Sequence, residues 1–331
     1  MTKKTVSVLG AGGWGTALAM LFADGGTPVH LWGFEEDQVK KMQATRTNDL
    51  YLPGVTLPDL VKPTHRMEEC TKADMVVVVT PSKGMRGVAE RFSKLGLPAK
   101  TPLISCTKGI EHSSGLRMTQ VLREYFPHNP IGALSGPNHA EEVSRKMPAA
   151  AAIGFADPAI AERIQTLFSR PYFRAYTTDD VAGLELGGAL KNIYAIAAGV
   201  CDGLGFGDNS KAALVTRALV ELVRLGVVLG GRRETFYGLS GIGDLIVTCF
   251  SRHSRNRGLG ERLGRGERLE EITAGMAGIA EGVPTTKSAY ECARRANVST
   301  PIVDQIHAIL FEGREPRQVL VELMNRDPRP E

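Results

Sequence analysis

The first half of the chain alternates short apolar runs with longer stretches in which apolar positions recur at helical spacing. The runs are VSVLG (6–10), VHLW (29–32), MVVVV (75–79), LISC (103–106), IGAL (131–134) and AAAI (150–153). Each is apolar on successive residues rather than alternate ones, the pattern of strands covered on both faces. Strand, helix, strand in repetition predicts a doubly wound parallel sheet. After about Thr178 strand signals nearly vanish. From Asp179 to about Gly230 the pattern predicts long helices rich in Ala, Leu, Val and Gly. A glycine-rich passage, YGLSGIGDLIVTC (237–249), and an arginine-rich one follow, and the chain is helical again up to a Pro/Arg-rich tail. The expectation is an α/β domain over residues 1–178 and an all-α domain over residues 179–331, with a cleft between them. No tandem repeat is present.

Composition narrows the class. The 331 residues are 43% hydrophobic and 23% charged, as in an ordinary globular protein with room for a core in each domain. No apolar run is long enough for a membrane span, and the first residues lead straight into a strand rather than a signal core. The five cysteines (Cys70, Cys106, Cys201, Cys249 and Cys292) are far apart, without metal-ligand spacing. They read as reduced thiols of a cytoplasmic protein. The seven histidines are scattered, so no metal site is expected. A net charge of +4 suits a small anionic ligand better than nucleic acid.

The first run leads into a glycine loop. VSVLGAGGWGTALA (6–19) holds GxGxxG at Gly10, Gly12 and Gly15, between a strand and a helix. There the first glycine makes a tight turn, the second lets a pyrophosphate approach the backbone, and the third allows close helix–strand packing. The helix N-terminus adds N–H donors and a positive dipole end. This predicts a Rossmann-like, dinucleotide-binding N-terminal domain. Glu35, 20 residues after Gly15, stands where a carboxylate bonds the adenosine ribose hydroxyls. Phe34 occupies a position where an arginine would favour a ribose phosphate. The pair predicts NAD as the preferred cofactor, with NADP possible; Glu35 and Glu36 as plain helix-starting acids is the alternative.

In the second half, GGALKNIYAIAAG (187–199) places Lys191 and Asn192 in an apolar helix with no acid one turn away. Either the ammonium snorkels to solvent, or it is held in the interior as a general acid/base of lowered pKa. Asp244 follows a Gly-x-Gly turn, with Thr248 one helical turn on; a helix N-cap is the other reading of Asp244. SRHSRNRGLG (251–260) gathers Arg252, Arg255 and Arg257 with Ser254 and Asn256, donors that suit a phosphate. A solvated basic loop is the alternative; Glu261, Glu267 and Glu270 and the lack of stacking aromatics count against nucleic acid. Lys108 in SCTKGIE and Gly136 in SGPNHAEEV each follow a strand, where open α/β sheets bind ligands; on their own a plain surface lysine and an ordinary turn are the alternatives.

Together these motifs resemble the glycerol-3-phosphate dehydrogenase family over nearly the whole chain. In order they are GAGGWGTALA, YLPG (51–54), TPSK (80–83), SCTKGIE, SGPNHAEEV, ELGGALKNIYAIAAG, GLSGIGDLIVTC, SRNRGLG and AEGVPT (280–285). The resemblance implies that Gly10, Gly12, Gly13, Trp14 and Gly15 hold the cofactor pyrophosphate, and that Lys108 touches cofactor and substrate. It implies that Gly136 and Asn138 line the substrate site, with Ala140 near the cofactor. Lys191 would be the proton acceptor, assisted by Asn192, Asp244 and Thr248. Ser254, Arg255 and Asn256 would bind the substrate's phosphate region, with Arg255, Ile279 and Glu281 also near the cofactor. The implied activity interconverts sn-glycerol 3-phosphate and dihydroxyacetone phosphate, in a likeness to enzymes that supply phospholipid synthesis, and a homodimer is expected. The chain departs from the bacterial-type pattern at Gly13, where Ser is usual, and at FEED (34–37) and Asn138, which look like the NAD-specific eukaryotic branch. Other two-domain dehydrogenases acting on 3-hydroxy acids or ketopantoate-like substrates, and a dinucleotide-sensing regulator without turnover, are the competing readings.

Overall fold

The computed structural model describes residues 4–112, 114–276 and 278–324, so the last part of the Pro/Arg-rich tail lies outside the described residues. The chain divides into two units. One takes residues up to Lys108 together with Leu116–Glu185; the other takes Gly109–Gly115 and everything from Leu186.

Among the described residues the first unit has ten strands: β1 (Val6–Leu9), β2 (Val29–Trp32), β3 (Thr47–Asn48), β4 (Leu52–Thr56), β5 (Val61–Thr64), β6 (Met75–Val78), β7 (Leu103–Ser105), β8 (Ile131–Ser135), β9 (Ala149–Gly154) and β10 (Phe173–Thr178). Eight form one sheet in the order β10-β9-β8-β7-β6-β1-β2-β5, and β3 pairs with β4 as a separate hairpin. Every neighbouring pair in the large sheet is parallel except β8 with β9. The strands are apolar on successive residues because both faces are covered. Val6, Val8, Met75 and Val77 join a core with Phe22 and Phe168, whereas Leu9, Val76 and Val78 join another with Phe92, Met118 and Leu122. The covering helices are α1 (Gly13–Asp24), α2 (Glu36–Thr45), α3 (Met85–Ser93), α4 (Met118–Tyr125), α5 (Ala140–Ser144) and α6 (Pro158–Phe168). The order turns back at β1, which lies between β2 and β6, and its carboxyl end carries the glycine loop. In open α/β sheets that reversal is where ligands bind.

The six predicted strands are all present, but β3, β4, β5 and β10 are not foreseen in the sequence, and the sheet is not parallel throughout as expected. β5 and β10 are the edges of the large sheet, and β3 and β4 form the separate hairpin. In β10, Phe173 and Ala175 are buried while Arg174 and Tyr176 are exposed, so it alternates instead of running apolar. β5 carries Lys62 and Pro63, and proline is tolerated at an edge.

The second unit is helical: α7 (Val181–Gly203, whose first residues lie in the first unit), α8 (Asp208–Val228), α9 (Asp244–Phe250), α10 (Arg255–Gly264), α11 (Leu269–Ala274), α12 (Gly282–Arg295), α13 (Pro301–Phe311) and α14 (Pro316–Met324). From Gly183 to Val200 every residue of α7 is buried, which accounts for its apolar character on all sides. Glycines on α7 and α10 let these helices approach: a Cβ at Gly199 would fall 1.9 Å from the Arg257 carbonyl oxygen, and one at Gly260 would fall 2.0 Å from that of Ile196. Among the described residues, no helix is long and apolar enough to cross a membrane.

Candidate active site

In the first unit, the loop after β1 is fixed by its glycines. Gly10 has φ +129° and a Cβ there would lie 2.6 Å from the Val79 carbonyl oxygen. A Cβ at Gly15 would lie 1.8 Å from the Gly10 carbonyl oxygen, so α1 is pressed onto the loop that precedes it. Gly12 differs: a Cβ there meets nothing within 4 Å. It is also the N-cap residue of α1 and offers no side-chain acceptor to the helix. The first-turn N–H groups of α1 therefore border open space, the arrangement that receives an anion. These residues fit the pyrophosphate of a dinucleotide.

The hairpin of β3 and β4 braces the loop. Asn48, buried, donates through Nδ2 to the Ala11 carbonyl oxygen at 2.9 Å and to Thr16 Oγ1 at 2.8 Å. Gln38 Nε2 donates to Asn48 Oδ1 at 3.0 Å. A Cβ at Gly13 would fall 2.7 Å from the Tyr51 carbonyl oxygen, with Ala140 Cβ next at 3.7 Å. This chain's glycine at position 13 thus goes with a hairpin that sits close on the loop. Asn48, three residues ahead of YLPG, gives no sign of this role in the sequence, since a polar residue in a polar stretch carries no signal of burial. At the end of β2, Phe34 is exposed and Glu35 is the N-cap residue of α2. Glu36, not Glu35, pairs with Lys40 at 2.9 Å. Burial, with the Glu35 carboxylate acting on it, holds the Tyr51 phenol above its ordinary pKa.

Lys108 is half-buried beyond β7 and donates to the Gly136 carbonyl oxygen at 3.0 Å. Gly136, at φ +154°, turns the chain after β8. Asn138 Nδ2 donates to the Ala150 carbonyl oxygen at 2.9 Å, while its buried Oδ1 has no hydrogen-bond partner. Lys108, Gly136 and Asn138 therefore form one cluster at the carboxyl ends of β7 and β8.

In the second unit, Lys191 does not snorkel. Its side chain is only 7% exposed, and that of Asp244 2%. Lys191 Nζ donates to Asp244 Oδ1 at 2.8 Å and to Thr248 Oγ1 at 2.6 Å. The Thr248 hydroxyl donates in turn to the Asp244 carbonyl oxygen one helical turn back, at 2.6 Å. Asp244 is not a helix cap: the carboxylate missing one turn from Lys191 on α7 comes from α9. The approach depends on Gly187, where a Cβ would lie 2.5 Å from the Ser240 carbonyl oxygen. That carbonyl belongs to the π-helical turn Leu239–Gly243, which leads into Asp244. Burial pushes the nearby Cys249 thiol up to about 12 although the Lys191 charge pulls it down, so it is no nucleophile at neutral pH.

Asn192 stands beside Lys191 and is also buried. Its Oδ1 accepts from Asn256 Nδ2 at 2.9 Å, and Asn256 Oδ1 accepts from the Gly282 N–H at 2.8 Å. Asn256 thus ties α7, α10 and the start of α12 together. Ser254 is the N-cap of α10, accepting from the Arg257 N–H at 3.2 Å. The arginines part company. Arg255 is exposed, with its guanidinium against Gly278, next to half-buried Ile279 and close in sequence to half-buried Glu281. Arg257 turns inward to Asp202 at 2.7 Å, and Asp202 also holds Lys211. Among the described residues, no group of three or more His, Cys, Asp or Glu side chains is placed to hold a metal ion.

Comparison with known proteins bears on both units. Residues 5–161 match the model of the NAD-dependent glycerol-3-phosphate dehydrogenase N-terminus, and residues 180–321 that of its C-terminus. The glycerol-3-phosphate dehydrogenase [NAD(P)+] of Syntrophotalea carbinolica is 46% identical over 98% of this chain and 99% of its own. That of Geobacter sulfurreducens is likewise 46% identical, covering 98% of each. Among solved structures, glycerol-3-phosphate dehydrogenase from Coxiella burnetii superposes with a TM-score of 0.95 at 37% identity, covering 98% of this chain and 99% of that one. A ketopantoate reductase from Ralstonia eutropha, 16% identical with a TM-score of 0.63 and covering 97% of this chain and all of that one, shares the fold alone. With both units matched by their own models and relatives aligned nearly end to end, the chain belongs to the glycerol-3-phosphate dehydrogenase family.

Proposed function

We propose that this chain interconverts sn-glycerol 3-phosphate and dihydroxyacetone phosphate using NADH or NADPH, with Lys191 as the general acid/base. The observation that carries the lysine's role is its setting: an ammonium in a helix buried on all sides, held by a carboxylate and a hydroxyl that come from another helix. Burial of a charge at such cost has a use where a proton must move.

When bound, the nicotinamide dinucleotide supplies the hydride to C2 of the substrate or takes it away. The loop of Gly10, Gly12, Gly13, Trp14 and Gly15 would hold its pyrophosphate, and Ala140 lies against that loop. In reduction the Lys191 ammonium donates its proton to the C2 carbonyl oxygen; in oxidation the neutral amine accepts one from the C2 hydroxyl. Asp244, in contact with Nζ, stabilises the charge of the ammonium form, and Thr248 fixes the position of Nζ. Asn192, held by Asn256, would stand as a polar neighbour to the reacting oxygen. Asn138 offers an acceptor that a substrate hydroxyl could satisfy, and Lys108 and Gly136 complete that cluster. Arg255, at the start of α10 with Ser254 and Asn256, would grip the phosphate, so that binding energy remote from C2 sets the reaction geometry. Arg255, Ile279 and Glu281 would also close on the cofactor. The product would feed phospholipid synthesis, and a homodimer is the expected assembly.

A spectrophotometric assay with dihydroxyacetone phosphate and each of NADH and NADPH tests the reaction. Lys191→Ala should abolish turnover while leaving NADH binding largely intact. Turnover like that of the unaltered enzyme would remove Lys191 from the mechanism. NADH binding without any turnover in the unaltered protein would instead favour a dinucleotide-sensing regulator.

A further inference from the structure

The carboxyl end of β2 holds a cation that the sequence around it does not contain. Phe34 is 72% exposed and meets Trp32 edge-on, with ring centroids 6.3 Å apart. Arg91, in the last turn of α3, places its guanidinium carbon 5.8 Å from the Phe34 ring centroid and 5.9 Å from that of Trp32. The other charges nearby are committed. Glu36 pairs with Lys40 and approaches His65 at 3.8 Å, Arg66 pairs with Glu69, and Glu90 on Arg91's own helix pairs with Lys94. Arg91 has no carboxylate partner among the described residues. An exposed aromatic face and an uncommitted guanidinium therefore meet at the carboxyl end of β2, with Glu35 the next residue along the chain from Phe34.

In a dinucleotide-binding sheet the carboxyl end of β2 receives the adenosine end of the cofactor. An acid there bonds the ribose hydroxyls, and an arginine nearby accommodates a 2′-phosphate. This chain has both, the acid on β2's own continuation and the arginine on a helix 57 residues from Phe34 in sequence. We infer that Arg91 is the specificity-determining residue through which this chain accepts the 2′-phosphorylated dinucleotide. Its guanidinium takes the 2′-phosphate through charge-assisted hydrogen bonds, while the ring of Phe34 keeps that guanidinium at the ribose end. Glu35 serves the unphosphorylated ribose, so the same chain uses either cofactor. The inference rests on the dinucleotide-binding reading of the first unit.

The test is equilibrium binding, by calorimetric titration of the full chain with NADPH, NADH, adenosine 2′,5′-bisphosphate and ADP. Arg91→Ala should weaken NADPH and adenosine 2′,5′-bisphosphate by about tenfold or more while shifting NADH and ADP by less than about threefold. Arg91→Glu should weaken the phosphorylated pair further, and Arg91→Lys should restore part of the loss. Arg91 is exposed and the variants should fold, which circular dichroism checks. An equal loss for all four ligands, or none for the phosphorylated pair, overturns the role of Arg91. If the unaltered chain binds neither dinucleotide, the dinucleotide-binding reading fails and this inference falls with it.

Discussion

The Lys191–Asp244 pair makes an unusual demand on stability that a double-mutant cycle can expose. Both side chains are almost entirely out of solvent, and their contact is 2.8 Å. Lys191→Met leaves the Asp244 carboxylate buried without the ammonium that faces it, the Thr248 hydroxyl remaining beside it. Asp244→Val leaves the ammonium in the same position. Removing one partner of a buried pair costs about 3–5 kcal/mol, because the remaining charge has lost its compensation. Removing both abolishes the penalty, since the attraction of a buried pair is largely offset by the desolvation of its two charges. Thr248 keeps a partner in every variant, because its hydroxyl donates to the backbone carbonyl of residue 244 rather than depending on the carboxylate. The double variant should therefore be within about 1–2 kcal/mol of the unaltered protein, with a coupling energy of at least about 3 kcal/mol. Guanidinium unfolding followed by far-ultraviolet circular dichroism, which is dominated by helices, reads the four proteins, and initial rates are measured alongside. The expected outcome is a double variant that is folded, stable and without turnover. If its loss of stability equals the sum of the two single losses, the groups are not coupled as a buried ion pair. If it is as active as the unaltered protein, the pair has no catalytic use.

Three other outcomes follow from the geometry. Gly12→Ala should keep its melting temperature, since φ is −74° and the added Cβ meets nothing, yet weaken NADH binding by about tenfold or more; Gly15→Ala, driven into the Gly10 carbonyl oxygen, should lose stability as well, and similar melts for the two would contradict this. Asn48→Ala strips donors from the Ala11 carbonyl and from Thr16, so it should cost about 1–3 kcal/mol in thermal unfolding and raise the KM for NADH more than it lowers kcat; an unchanged KM would detach Asn48 from the loop. Glu221 is buried beneath the start of α13, accepting from the N–H groups of Ile302 and Val303, and burial raises its carboxyl from 4.5 to about 7. The folded state then holds the proton more tightly than the unfolded one, so this group's contribution to stability falls by about 3 kcal/mol as pH rises from 4.5 to 7 and is flat beyond. Glu221→Gln should gain stability relative to the unaltered protein between pH 5 and pH 8 in urea melts, and a difference that does not change with pH would refute the shift.

What could be read from the sequence, and what could not, divides along physical lines. Runs that are apolar on every residue betrayed the strands buried on both faces, so β1, β2, β6, β7, β8 and β9 were legible. The edges were not. β10 buries only alternate residues and β5 carries a charge and a proline, because an edge strand has less to hide. Nor does the composition of a run record its direction, so the antiparallel step between β8 and β9 left no trace. Lys191 was legible as an anomaly, a charge in an apolar stretch with no acid one turn away, and the structure shows that Gly187 is where another backbone comes close. The partition of the basic cluster was invisible. Arg255 and Arg257 are two residues apart in sequence, but two residues on a helix are 200° apart, so one faces outward and the other meets Asp202. Arg91 escaped for a related reason. Its neighbour Phe34 was weighed only against the residues beside it in the chain, and the absence of an arginine at that position was read as an absence of positive charge. A parallel sheet brings the ends of β2 and the helix after β6 to the same edge, so charge near the adenosine site is set by topology as much as by the residues that follow β2. The same holds for Lys191: no acid lies one turn from it on its own helix, and the one that pairs with it stands on α9.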